Sequence, residues 1–531
     1  LDPPIAPDPI LQQLRHLPEG DTCLDFCLNS IPITPWPHQL KILRYVEQHF
    51  PCRLLIADEV GLGKTIEAGL ILRYLLISQK ARRILILAPA SVQPQWHSEL
   101  REKFNLHFWS YGQNQFSYSS PELASWVPPH TEENPWNQHD LILASSHLVR
   151  RQERRQELLA AQTWDLVILD EAHHARRQTP QSRKDTPNSL LTLMRDLAAN
   201  SQSLILLSAT PMQIDPIEIF DLLNLLGLPG LWEYGDLFCE YFASLADLDP
   251  EEGTTARQLE LWQQLSRDYF QRGGSPCPQL SQILRQGDRL LYYKLEDIWQ
   301  KGKPLTQGKK LAQDTAFLKA SRQYLTTHTP LKDLMFRHTR DTLRQYHRLG
   351  VLKQDVPTRI VCDNAIALEP QREIPLYSAV SQYVRDFYRL AQKENRKALG
   401  FLMTLYRKRL TSSFYAIQQS LKRRLEGISF TDDDLLDIDD ASEPILAGLE
   451  PYMEPVAPQE IEYLEELLKQ FEKTGEDSKL RHCLTTLRNE LNQRDSAIIF
   501  TQYTDTMDYL RGELKALYGG KVACYSGRGG E

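Results

Sequence analysis

The chain has 531 residues, of which 41% are hydrophobic and 24% charged, and carries a formal net charge of −8. This is ordinary globular material, long enough for about two to four domains. The acidic sum does not advertise a nucleic-acid partner, though it hides local bias. No run of about 18 apolar residues occurs, so no membrane partner is expected.

Residues 1–30 are Pro-rich and then amphipathic, and read as an N-terminal extension. Leu1-Asp2-Pro3-Pro4 is no signal peptide and lacks a starting Met, so a fragment is expected. From 31 to 228, apolar strands at 53–57, 84–88, 141–145, 166–169 and 204–208 alternate with helical stretches. That order implies a parallel sheet with right-handed crossovers. Between 229 and 355 the strand signal disappears. Trp232, Tyr234, Phe238, Tyr241 and Phe242 recur at helical spacing and read as core residues of a helical insertion. Residues 356–494 open with strand-like 358–362 and 365–368. They then turn helical around an acidic stretch at 432–443, which reads as a solvated loop. Residues 497–501 restart strand character, so 495–531 reads as the first part of a second α/β lobe. The eight cysteines are scattered, and no second close pair joins Cys23 and Cys27 to complete a zinc site. Reduced thiols and a cytoplasmic setting follow.

Two motifs carry the chemistry. Ala57-Asp58-Glu59-Val60-Gly61-Leu62-Gly63-Lys64-Thr65 follows the apolar run 54–56 and opens into a helical segment. Strand, glycine loop, Lys-Thr and helix make a phosphate cradle. Backbone N–H groups wrap the phosphates, Lys64 reaches the β/γ oxygens, and Thr65 holds Mg²⁺. Asp58 departs from the usual pattern, which has Gly there. The second motif, Asp170-Glu171-Ala172-His173, follows the fully apolar run 166–169. Such runs suit strands covered on both faces, and ligands bind beyond their carboxyl ends. Asp170 is assigned to Mg²⁺ through water, Glu171 to the attacking water, and His173 to a link with the neighbouring motif. ATP and Mg²⁺ are the expected cofactors.

Weaker signals fall in order around these two. Gln39, in Pro37-His38-Gln39, can read an adenine edge through its paired donor and acceptor. Ser91, Gln95 and Trp96 follow the second strand, Ser145 the third, and Ser208 and Thr210 the fifth. Short hydroxyl residues at strand ends suit phosphate contacts or helix caps. Basic clusters lie at Arg150, Arg151, Arg154 and Arg155; Arg176 and Arg177; Arg337 and Arg340; Arg407, Lys408 and Arg409; and Lys422, Arg423 and Arg424. Each alone suits a solvated helix face, while a DNA-tracking protein places some along phosphates.

Taken in this order, residues 31–531 resemble the superfamily-two helicases, and within them the Swi/Snf-type DNA translocases. The resemblance implies two RecA-like lobes with long helical insertions, the second lobe being incomplete here. Residues 31–228 would form lobe 1, and 356–531 the helical protrusion and the start of lobe 2. It implies ATP contacts at Gln39, Asp58, Gly61, Leu62, Gly63, Lys64 and Thr65, catalysis by Lys64, Asp170 and Glu171, and coupling through His173, Ser208 and Thr210. DNA contacts are expected from Ser91, Gln95, Trp96, Ser145, Arg337, Arg340, Arg407 and Arg409.

The text of 58–69 is similar to the bacterial branch that includes the RNA-polymerase-recycling ATPase. Three other stretches resemble the Swi/Snf-like helicase of DISARM anti-phage systems. They are 208–213 with 222–229, Arg337-His338-Thr339-Arg340, and 406–414. The implied partners are double-stranded DNA and defence subunits such as a methylase, helicase or nuclease. The family's transition-state arginines come from the far end of lobe 2, so the native chain is expected to continue past Glu531. The rival readings are an RNA-polymerase-associated recycling ATPase and an ATP-gated interaction protein with little turnover.

Overall fold

The computed structural model describes residues 21–530 apart from 113–114, 119–133, 148, 150–151, 179–183, 213–214, 306–307, 355, 359, 394–396, 428–457, 473–476 and 527–528. The extension over 1–20, Arg150, Arg151, Gln213, Arg359 and the acidic stretch at 432–443 lie outside the described residues. The chain forms two compact units, Leu1–Thr358 and Arg359–Glu531.

The first unit is built on eight strands: β1 (Arg53–Ile56), β2 (Ile84–Ala88), β3 (Trp109–Gly112), β4 (Gln115–Ser117), β5 (Leu141–Ser145), β6 (Trp164–Leu169), β7 (Ser201–Leu207) and β8 (Met335–Phe336). They lie in the order β4-β3-β5-β2-β6-β7-β1-β8. Every pairing is parallel except β3 with β4. Side chains alternate between two faces along a strand, and both faces are covered here. Leu55, Leu85, Leu87, Val167, Leu169 and Leu206 enter one core. Leu54, Ile56, Ile84, Ile86, Ile168 and Leu207 enter the other. That double burial is why these strands read as unbroken apolar runs.

All five anticipated strands are present within a few residues of their expected ends. β3, β4 and β8 were not anticipated, since none exceeds four residues and such stretches show no period. Helices dominate from Pro216–Leu225 to Thr315–Thr327. Trp232, Phe238 and Tyr241 are core there, but Tyr234 is 55% exposed and corrects the expectation for that position.

The second unit is mainly helical, with one short antiparallel pair of strands, Tyr525–Ser526 and Gly529–Gly530. Its core joins α-helices Glu373–Lys393, Lys397–Ser412, Phe414–Glu426 and Pro458–Glu472 through Leu376, Val380, Tyr383, Met403, Ile417 and Leu464. A buried polar knot runs through it: Arg424 Nε donates to Glu460 Oε1 at 2.6 Å, and the Tyr383 hydroxyl donates to the same oxygen at 2.7 Å. The expected strands at 358–362, 365–368 and 497–501 are absent among the described residues. Ile360, Val361, Ile498 and Phe500 stand 68–90% exposed. Strand character needs a hydrogen-bonded neighbour, and these stretches have none within the unit's described residues.

Arg409 corrects a further expectation. Its side chain is fully buried and donates from Nη1 to Asp505 Oδ2 and Ser420 Oγ at 2.8 and 2.9 Å. Arg423 binds the same carboxylate oxygen. A guanidinium consumed this way cannot also track a DNA backbone, whereas Arg407 beside it is exposed. Arg409→Ala removes one partner of a buried pair and should cost about 3–5 kcal/mol. Chemical denaturation should show this as a lowered midpoint, while Arg407→Ala leaves the midpoint within about 0.5 kcal/mol of the parent.

Candidate functional site

The phosphate loop leaves β1 and turns into helix α1 (Lys64–Ile77). Gly61 and Gly63 take φ of 83° and 88°, left-handed values that cost a Cβ-bearing residue strain. A Cβ on Gly63 would also stand 2.8 Å from Gln39 Nε2. Lys64 Nζ donates to the Asp58 carbonyl at 3.1 Å, closing the loop over its own backbone. Gln39 donates from Nε2 to Leu62 O at 3.1 Å, and its Oε1 accepts from Trp36 N at 2.8 Å. Gln39 is thus fixed on the loop itself.

Asp58, the departure from glycine, is fully buried. Its Oδ1 accepts from the His338 backbone N at 2.8 Å, and its Oδ2 lies 2.9 Å from His338 Nδ1. Burial works against this carboxylate, yet the bonds from His338 and Glu67 pull its pKa below the usual value. Glu67, one turn into α1, is also buried, and burial together with the Asp58 charge lifts its pKa well above normal. A neutral Glu67 carboxyl can donate to Asp58. His38 Nε2 closes the cluster, 3.3 Å from Glu67 Oε1 and 3.2 Å from Leu62 O. Sequence reasoning missed Glu67, His38 and His338 as parts of this site. The only signal was that His38 abuts Gln39 and His338 lies within Arg337-His338-Thr339-Arg340.

The strand order carries the second motif to the same edge. β7 lies between β6 and β1, with Leu169 opposite Leu206 and Ile56 opposite Leu207. Residues after all three strands therefore emerge at one level. Asp170 Oδ2 accepts from Trp96 Nε1 at 2.7 Å, and Oδ1 accepts from Glu171 N at 2.9 Å. Burial raises the Asp170 pKa against the Trp96 bond. Glu171 holds left-handed backbone angles, φ 48° and ψ 49°. His173 Nδ1 lies 3.3 Å from Glu171 Oε2 and 3.2 Å from Ser208 Oγ. That histidine contact, opposed by burial, pulls the Glu171 pKa down. Ser208 Oγ accepts from Thr210 N at 3.2 Å. Lys64 is close enough to act on the charge of both acids.

The structure brings together Gln39, Asp58, Gly61, Leu62, Gly63, Lys64, Asp170, Glu171, His173, Ser208 and Thr210. Thr65 follows Lys64 in the first turn of α1, partly exposed. Trp96 is corrected from the DNA surface: it is 2% exposed and its indole is spent on Asp170. Ser145 is corrected too, being 7% exposed with its hydroxyl accepting from His147 N. Ser91 and Gln95 are exposed, and Gln95 donates to Glu99 Oε1. Arg337 is exposed. Arg340 sits on the phosphate loop, where its Nη2 donates to Val60 O at 3.1 Å. These donors fit a nucleoside triphosphate with a divalent cation: a left-handed glycine cradle, a helix N-terminus, an ammonium, and an acid pair of contrasting titration.

Residues 38–301 match the model of the SNF2-related domain. The chain is 36% identical over 213 residues to the RNA polymerase-associated protein RapA of Yersinia enterocolitica, covering 40% of this chain and 21% of that protein. It is 37% identical over 204 residues to the protein of that name in Serratia proteamaculans, covering 38% and 20%. The chain therefore spans about a fifth of the length of these curated relatives. A solved Sulfolobus solfataricus SWI2/SNF2 ATPase core in complex with dsDNA is similar at 15% identity and a TM-score of 0.34, over 92% of this chain and 70% of that one. Residues 38–301 belong to the Swi/Snf-type, helicase-like ATPase family of superfamily two.

Restoring the customary glycine tests the cluster under the loop. Asp58→Gly leaves the buried His338 N–H without its acceptor and should destabilise the first unit by about 3 kcal/mol. Urea denaturation measures this; an unchanged midpoint would mean that Asp58 does not hold the loop.

Proposed function

We propose that this chain is the motor portion of an ATP-dependent translocase on double-stranded DNA. One observation carries the reading: the order β6-β7-β1 sets Lys64, Asp170, Glu171 and Ser208 at one sheet edge. Lys64 and the α1 N-terminus bind the phosphates, and Gln39 reads the adenine. Mg²⁺ held by Thr65 and Asp170 would neutralise charge on the β- and γ-phosphates. Glu171, kept ionised by His173, orients and polarises the attacking water. His173 and Ser208 form a contact through which a change at Glu171 reaches the loop after β7. DNA contacts go mainly to phosphates, so binding is salt-sensitive and nearly sequence-independent. Ser91, Gln95, Arg337 and Arg407 are the exposed candidates for them.

A second reading concerns the partner. The matched relatives are named RNA polymerase-associated, which favours a polymerase-bound ATPase. The anti-phage setting, with methylase, helicase or nuclease subunits, rests on the resemblance of 208–213 with 222–229, 337–340 and 406–414 alone. Affinity capture from the native cell separates the two by what co-purifies: polymerase subunits or defence subunits.

Hydrolysis of ATP with and without linear duplex DNA tests the motor. Lys64→Ala should abolish ATP binding or turnover. Glu171→Gln should retain ATP while kcat falls by ~100-fold or more. Normal DNA-stimulated turnover by Glu171→Gln would sink the assignment, and ATP binding without turnover in the parent chain would leave the gated scaffold. Arg407→Ala with Lys408→Ala should flatten the salt slope of DNA binding by about 2.

A further inference from the structure

Arg340 arrives at the phosphate loop from 280 residues away in sequence. It opens helix α2 (Arg340–Arg348), just after β8. Its backbone N donates to Glu59 Oε2 at 2.9 Å, and Thr339 caps the helix by accepting from Thr342 N. The main chain is therefore pinned against the loop. The guanidinium lies on the outer bend, with Nη2 3.2 Å from where a Cβ on Gly61 would stand. It is half-exposed, and its one polar contact among the described residues is the Val60 carbonyl. It pairs with no carboxylate there.

A guanidinium has five N–H donors in a planar fork that matches phosphate oxygens. A single neutral carbonyl uses little of that capacity. The loop beside it is shaped for an anion, and Lys64 supplies a cation only from the α1 side. A second cation at the Gly61 bend, held at its backbone and loose at its head, is placed to close over the same anion. The surface role first expected for Arg340, a DNA phosphate contact, asks it to point away from the loop that it touches.

We propose that Arg340 is a ligand for the terminal phosphates of the bound nucleotide, supplied in cis by the segment after β8. The inference rests on the ATP-binding reading above. On binding, the guanidinium exchanges Val60 O for phosphate oxygens, while the Glu59 bond keeps its backbone in place. Its charge then reports the number of phosphates present.

The test is equilibrium binding of ATP, ADP and AMP to the 531-residue chain, the parent against Arg340→Ala, Arg340→Lys and Arg340→Gln. A charge-assisted phosphate bond predicts about tenfold or more weaker ATP binding by Arg340→Ala, a smaller loss for ADP, and unchanged AMP. Arg340→Lys should recover part of the loss. Arg340→Gln, which can still donate to Val60 O, should show the same ATP-selective loss and so guards against a misfolded Ala variant. Equal losses for all three nucleotides, or full ATP affinity in Arg340→Gln, would make Arg340 a structural tie and overturn the inference alone. Failure of the parent chain to bind ATP would overturn the nucleotide reading, and this inference with it.

Discussion

A phosphate loop must be both bent and still, and in this chain the stillness comes from a partner strand end. Two left-handed glycines give the loop its curve but also its freedom in the unfolded chain. The segment after β8 removes that freedom. Ala57 N donates to Phe336 O, Glu59 N to His338 O, and the His338 and Arg340 amides return bonds to Asp58 and Glu59. The parallel pairing of β1 with β8 thus runs on past the strands and along the loop. Asp58 is the centre of this zipper. At this position the backbone needs no left-handed angle, so a glycine's freedom would be wasted and a buried acceptor is of use. The helical insertion between β7 and β8 accordingly ends by returning a strand to the site it left.

The acid pair depends on the same edge but on different forces. Asp170 is buried and raised in pKa, so its carboxylate is destabilised until a cation or donor meets it. Trp96 supplies one donor and fixes the carboxyl's direction. Glu171 is lowered instead, and its backbone stands in a region that costs a non-glycine residue about 1 kcal/mol or more. A short turn holds it there, with His174 N donating to Glu171 O at 3.1 Å. Two adjacent carboxylates are thereby pushed apart in titration, the arrangement expected where one group meets a metal and the other a water.

The parts of this plan written in the sequence are those with a period or a fixed spacing. Unbroken apolar runs gave away β2, β5 and β6, because both sheet faces are covered. The glycine-lysine-threonine spacing located the loop, since its chemistry depends on consecutive residues. What stayed hidden depends on contacts between distant residues. Nothing local says that His338 meets Asp58, or that two residues, Met335 and Phe336, extend the sheet. Trp96 reads as a DNA contact, because an aromatic beside polar residues looks alike whether it faces solvent or a buried carboxylate. The stretch at 497–501 shows the reverse failure: strand composition with no strand neighbour among the described residues leaves it exposed and outside any sheet.

Charge is where composition misleads most. Counted in sequence, the chain offers five basic clusters, but the fold spends much of that charge inside. Arg177 is buried in a two-nitrogen fork on Asp221, with Nε donating to Oδ2 at 2.9 Å and Nη2 to Oδ1 at 3.0 Å. Arg154 and Arg155 pair with Glu157 and Asp196. Arg409, Arg423 and Arg424 are committed to Asp505 and Glu460. Arg337, Arg407 and Lys408 remain exposed and without ion pairs among the described residues. A salt slope scales with the phosphates neutralised, not with the basic residues counted. A net charge of −8 therefore does not measure what a polyanion would meet at the surface, because many of the chain's cations are already neutralised by their own acids.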